Sequence, residues 1–96
     1  MSALFQLGQV TFTPGAMEVI GASPFLTGDF LRRHAEGDWS EMDPQDQETN
    51  REAVLKGTRI FSSFKLSEIQ KIWIITDAAN DDRIRQHTTI LLPQEY

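Results

Sequence analysis

Cysteine is absent from the 96-residue chain. Disulfides and thiolate zinc sites are therefore excluded, and the composition suits a reducing compartment. Basic residues are few: nine Lys and Arg face fourteen Asp and Glu, for a net charge of −5. A simple nucleic-acid binder needs excess cations to displace counterions from phosphate, so direct nucleic-acid binding is not expected. No run of about 18 apolar residues is present, which excludes a transmembrane helix. The N-terminal MSALFQLGQV lacks a basic leader and a long apolar stretch, so a signal peptide is not expected and a cytoplasmic location is. Phosphate-loop and dinucleotide glycine patterns are missing, as are a G-x-S-x-G elbow and an H-x-x-x-H pair. Asp77, Asp81 and Asp82 lack the glycine and terminal glutamate of a calcium loop. No metal or cofactor is expected.

What is present fits one domain spanning residues 1–96, able to bury one modest core. Hydrophobic residues make up 40% and charged residues 24%, ordinary for a globular chain. Three segments share one start signal: Thr13-Pro14, Ser23-Pro24 and Asp43-Pro44 each place a capping residue before a proline. The first helix is expected from Pro14 to about Ile20, ended by Gly21. The second carries Phe25, Leu26, Phe30, Leu31 and His34 at helical spacings; Gly28 delays its continuous part to Thr27, and Gly37 stops it. The third runs from Pro44 to Lys56, with Asp46 in its first turn and Gly57 at its close.

Beyond Gly57 the period changes to two. Arg59–Leu66, Lys71–Thr76 and Thr88–Leu92 read as strands, the second apolar on both sides and therefore central. Residues 77–86 form a polar loop. Phe5–Thr13 reads as an earlier strand at a sheet edge. The expected fold is α+β: an N-terminal strand, three short helices, then a three-stranded antiparallel meander, with the helices on one sheet face. Met17, Ile20, Phe30, Leu31 and Val54 are expected to pack against that meander. Exposed strand edges leave room for a homodimer.

Candidate functional residues concentrate in RRHAEGDWSEMD, residues 32–43. As a catalytic site, His34 would be a general base oriented by Asp38 or Asp46, but no nucleophile is evident. As a structural joint, His34 would bond terminal carbonyls of the second helix and suit its dipole as a cation. Gly37 would supply a positive φ, Asp38 would accept turn N–H groups, and Trp39 would fold onto the core. Asn50, one turn after Asp46, would face inward, and Arg59 would close the same network. As a binding surface, Glu36, Glu41, Met42, Asp43, Glu48 and Glu52 would form an exposed acidic lip with an apolar anchor. Charge is uneven in support of this: residues 36–52 hold seven acids against Arg51, whereas residues 53–76 hold four bases against Glu68. The C-terminal Tyr96 is expected to lay its ring across a sheet edge.

Several short motifs occur in order along nearly the whole chain. They are Leu7-Gly8-Gln9, Thr13-Pro14-Gly15-Ala16, Arg33-His34, Gly37-Asp38-Trp39, Asp46, Asn50, Gly57, Arg59, Ser62, Trp73, Ile75-Thr76, Thr88-Thr89, Leu91-Leu92-Pro93 and Glu95-Tyr96. In these the chain resembles a family of small bacterial proteins carried on plasmids, integrated elements and phage-related islands. It departs from them in a longer, more acidic 77–87 loop. The resemblance implies a setting on mobile DNA rather than a chemistry. Together with the acidic segment, it leads us to expect a non-enzymatic interaction protein. Such a protein would bind, and inhibit, a host nucleic-acid-handling defence complex such as a CRISPR or restriction effector. Its protein partner would present a basic nucleic-acid-binding surface. The alternatives are an antitoxin-like accessory that pairs with a neighbour-encoded partner, and a small hydrolase-type enzyme using His34.

Overall fold

The computed structural model describes residues 3–96. Strand β1 (Gln9–Phe12) leads through Thr13 into α1 (Pro14–Ala16), a single turn continued by a π-helical turn at Met17–Gly21. Then come α2 (Pro24–Ala35), α3 (Pro44–Lys56) and strands β2 (Ile60–Lys65), β3 (Lys71–Thr76) and β4 (His87–Leu91). A 3₁₀ turn at Pro93–Glu95 ends the chain. All three helix starts follow one device. Thr13 Oγ1, Ser23 Oγ and Asp43 Oδ1 accept from the N–H groups of Ala16, Leu26 and Asp46, at 3.3, 3.2 and 2.8 Å. The prolines fill the first helical positions, where a missing N–H costs nothing. Gly28 does not delay α2, which is continuous from Pro24.

The sheet is four-stranded and mixed, in the order β1-β4-β3-β2. This corrects the expected three-stranded meander. β2, β3 and β4 are antiparallel neighbours, as expected, but β1 joins the edge beside β4 in parallel, with Val10 opposite Thr88 and Phe12 opposite Ile90. The three helices carry the chain to β2 at the far edge, and β2 and β3 bring it back to β4, which supplies the long connection that a parallel pair requires. Gly8 makes the close entry of β1 possible: its φ is +65°, and a Cβ there would stand 2.4 Å from the Gln86 carbonyl. The expected strand at Phe5–Thr13 shrinks to Gln9–Phe12 because residues 4–8 turn toward α2, where the Leu4 N–H donates to the Ala35 carbonyl at 2.8 Å.

Strand alternation gives the sheet two different faces. The inner face carries Val10, Phe12, Ile60, Ser62, Phe64, Ile72, Ile74, Thr76, Thr88 and Ile90. Its apolar members pack with Ala16, Ile20 and Phe30 from the helices into the main core, and Trp39, Met42, Ala53 and Ile60 form a second cluster. Each fully buried isoleucine contributes about 1.5–3 kcal/mol. Leu31 and Val54 lie partly buried against these clusters. Met17, expected in the core, is 51% exposed. Ala16 and Ile20, four residues apart, hold the inward side of that turn and leave Met17 and Val19 outside.

Candidate functional site

The joint between α2 and α3 is built around His34. α2 points its last turn at the sheet, so the imidazole sits over the inner face with no solvent exposure. Its Nδ1 meets Ser62 Oγ, and its Nε2 meets Thr76 Oγ1 at 2.8 Å. Trp39 Nε1 donates to Ser62 Oγ at 2.9 Å. Thr76 Oγ1 lies 2.7 Å from Thr88 Oγ1, which donates to the Leu7 carbonyl at 2.6 Å.

The Leu7 end of this chain fixes the protons as far as His34 Nε2. A carbonyl only accepts, so Thr88 donates to Leu7, Thr76 donates to Thr88, and His34 Nε2–H donates to Thr76. An indole only donates, so Ser62 accepts from Trp39, and with the ring neutral it gives its own proton to His34 Nδ1. The neutral ring is therefore the Nε2–H tautomer. Burial, reinforced by the charge of Arg85, lowers its pKa to about 3. This corrects the expectation that His34 would be a cation bonded to helix carbonyls. The helix stop is made instead by Gly37, at φ +78°, with the Asp38 N–H donating to the Arg33 carbonyl at 2.9 Å. The Phe5 ring closes the pocket edge-on to the imidazole, 5.0 Å between centroids.

Around this interior the polar side chains are also committed. Arg33 donates to Asp38 and Glu41, both at 2.8 Å, and its guanidinium stands 4.6 Å over the Phe64 ring. The hydrogen bond from Arg33, helped by Ser40, holds the Asp38 carboxyl below the usual carboxylate range. Glu41 also accepts from the Lys65 N–H at 2.6 Å. Asn50 faces inward as expected and works as a substitute peptide group on the β2 edge. Its Nδ2 donates to the Phe61 carbonyl at 2.6 Å, and its Oδ1 accepts from the Phe61 N–H at 3.2 Å.

The other expected site residues divide. Met42, placed on the exposed lip by sequence, is only 9% exposed and packs beside Trp39 and Ala53. Glu41 is a clamp between Arg33 and β2 rather than a free carboxylate. Asp43 caps α3. Asp46 is exposed and stands outside the His34 network. Glu36, Glu48 and Glu52 pair with Arg32, Arg51 and Lys56 at 3.2, 3.1 and 3.6 Å. Arg59 lies on the opposite side of the sheet, its guanidinium 5.8 Å from the Tyr96 ring centre.

Arg85 takes the position expected of Arg59. It is 5% exposed and donates to the carbonyls of Thr58, Asp77 and Ala53 at 2.8, 3.1 and 3.0 Å. It thus caps the negative end of α3 with a cation. Sequence reasoning missed Arg85, Ser62, Thr76 and Thr88. The last three did carry a signal: each is a hydroxyl in an otherwise apolar inner register, which calls for a buried partner.

Among the described residues no cluster of three His, Cys, Asp or Glu side chains could hold a metal ion, and no helix is long and apolar enough to cross a membrane. No buried side-chain nitrogen or oxygen among them lacks a partner. The chain matches no family model, and neither a curated protein nor a solved structure is significantly similar to it.

Proposed function

We propose that the protein is a non-enzymatic interaction protein that docks its α3 side on a basic surface of a protein partner. The observation that carries this reading is the state of His34. Both ring nitrogens are occupied in a closed, directional hydrogen-bond chain, and the ring is neutral and out of contact with solvent. That supports a structural role for the residue with the strongest claim to catalysis. α3 is fixed separately, by Asn50 on the Phe61 peptide and by Arg85 on the Ala53 carbonyl, so the exposed acids Asp46, Glu48 and Glu52 stand on a held support.

The pairing pattern narrows the docking set. Glu41 and Asp43 hold the fold, and Met42 is buried. Glu48 and Glu52 are held only by exposed pairs along the helix, which are weak and screened by salt. A stronger cation on a partner can replace those lysine and arginine contacts at little cost. With the resemblance to proteins of mobile elements, the partner favoured is a host nucleic-acid-handling defence complex, blocked where it would hold phosphate. An antitoxin-like pairing with a neighbour-encoded basic protein fits the same surface.

The test is a plasmid- or phage-challenge assay against CRISPR and restriction effectors, joined to a pull-down at two ionic strengths. The triple variant Asp46→Asn, Glu48→Gln, Glu52→Gln keeps the caps and the Arg33 clamp. It should lose partner capture and inhibition, and the wild type should lose capture at high salt. A triple variant that captures and inhibits normally sinks the proposal.

A further inference from the structure

The outer face of the sheet, turned away from the helices, is chemically unlike the rest of the surface. β2 and its lead-in place Arg59, Phe61, Ser63 and Lys65 there, and β3 places Lys71, Trp73 and Ile75 beside them. Arg59, Lys65 and Lys71 are all exposed. Among the described residues no carboxylate lies within ion-pair distance of any of the three, neither Glu68 in the β2–β3 turn nor Asp77 beyond β3. Lys65 and Lys71 are direct cross-strand partners. Like charges so placed oppose strand pairing, and folding alone gives no reason for them.

Between the cations lie aromatic rings. Phe61 and Trp73 meet edge to face at 4.9 Å, and Trp73 meets Tyr96 at 5.7 Å. Arg59, Phe61, Trp73, Ile75 and Tyr96 line an open cleft of about 190 Å³. That is below the roughly 300 Å³ at which small-molecule pockets begin, so it suits one planar ring rather than a whole cofactor. Tyr96, 69% exposed, is accessible to an incoming group beside its contacts with Arg59 and Trp73. At about 3.3 Å per residue, Arg59 and Lys65 stand roughly 20 Å apart along the strand.

We propose that the outer face of the sheet, with Arg59, Lys65 and Lys71 around Phe61, Trp73 and Tyr96, binds single-stranded nucleic acid. Bases stack in the aromatic cleft and phosphates meet the unpaired cations, the combination that sequence-tolerant strand binders use. The occupant follows from charge and ring complementarity together. An anionic polypeptide would satisfy the cations but supply few flat rings, and a duplex keeps its bases stacked and out of reach. The net charge of −5 does not stand against this, because Glu18, Asp29, Glu36, Asp43, Asp46, Glu48 and Glu52 belong to the helices and their caps, and Glu41, which reaches the β2 edge at the Lys65 N–H, is paired with Arg33. This inference is independent of the α3 docking proposed above.

The experiment titrates the full chain with short labelled oligo(dT) and oligo(U) at low ionic strength, with a duplex and poly-glutamate as competitors. Trp39 is buried and Trp73 is not, so stacking should quench the fluorescence of Trp73. The expected dissociation constant is roughly 1–100 μM. The slope of log affinity against log salt should be near −2, about −0.7 for each of three phosphate contacts. The triple variant Arg59→Gln, Lys65→Gln, Lys71→Gln should flatten that slope and lose at least ten-fold in affinity. Tyr96→Ala should lose about five-fold without changing the slope. The variant Asp46→Asn, Glu48→Gln, Glu52→Gln should bind at least as tightly as wild type, which separates this test from that of the α3 surface. The inference is overturned by absence of binding at low salt, by binding that the outer-face triple variant leaves intact, or by equal affinity for duplex without quenching. Displacement by poly-glutamate with the same quenching also overturns it, and would assign the face to an acidic polypeptide.

Discussion

Four of the chain's cations sit on helices, and each is held by a carboxylate: Arg32 by Asp29 and Glu36, Arg33 by Asp38 and Glu41, Arg51 by Glu48, Lys56 by Glu52. Three sit on the outer face of the sheet, and none is so held among the described residues. A single sum over the chain hides this division. The helical side is acidic but largely self-paired, above an interior in which every buried side-chain nitrogen and oxygen among the described residues has a partner. The sheet side is basic and unpaired, with aromatic rings that nothing covers completely. A self-paired surface must exchange its own pairs to bind a partner, whereas an unpaired one need not. Each of the following substitutions attacks one side of that contrast.

The largest effect is expected in the closed interior. His34→Ala removes a buried ring, takes the acceptor from the Ser62 hydroxyl and one donor from Thr76, and leaves a cavity between them. The expected cost is about 3–5 kcal/mol, a large part of the stability of a domain this size. A chemical denaturation midpoint close to wild type would show that the network is dispensable. Acid should expose the same residue in the intact protein. The folded pKa of His34, about 3, lies below its unfolded value, so the unfolded chain binds the extra proton first. The contribution of neutral His34 is full above the unfolded value near 6.5. It is lost as pH falls from there toward 3, by on the order of 1 kcal/mol for each pH unit. Midpoints measured from pH 7 to pH 4 should fall in wild type and fall less in His34→Gln.

Next is the edge that separates the two sides. Asn50→Ala frees the Phe61 N–H and carbonyl on β2, at an expected cost of about 2–3 kcal/mol. It also uncovers a strand edge that the wild type keeps closed with Asn50 at one end and Glu41 at the other. Light scattering should register concentration-dependent association of Asn50→Ala that is absent in wild type. A variant that stays monomeric would mean that the cap serves stability alone.

Much of this arrangement was legible in the sequence, and the failures share a cause. The cap-proline pairs marked all three helix starts, and the change from helical to alternating period marked β2 and β3, because these signals are local. The pairing of β1 with β4 was not legible: it joins residues almost eighty positions apart, and only the close approach at Gly8 permits it. His34 was placed at its helix end but aimed the wrong way, since its partners Ser62 and Thr76 lie 28 and 42 residues on. Arg59 was the avoidable error. Alternation from the inward Ile60 sends Arg59 outward, to the face that the charge count had set aside. Met42 failed because an apolar residue among five acids resembles a surface anchor, while its sulfur sits 3.7 Å from the amide of Asn50 in the interior.

The smallest expected effect is the one that separates the two sides most cleanly. Lys71→Glu turns the like-charged pair with Lys65 into an opposite pair across neighbouring strands. That should stabilise the fold by about 0.2–1 kcal/mol, seen as a higher denaturation midpoint that salt diminishes. The same change places an anion in the outer face and should abolish oligonucleotide binding. A substitution that improves the fold while removing an activity identifies a residue kept at some cost to stability for the sake of function. The matched change on the other side is Glu48→Gln, which breaks an exposed pair with Arg51. It should cost no more than about 0.5 kcal/mol and leave oligonucleotide binding unchanged. If Lys71→Glu proves destabilising, Lys65 and Lys71 are not in conflict in the native protein. The strongest structural reason to look for an anion on that face would then be gone.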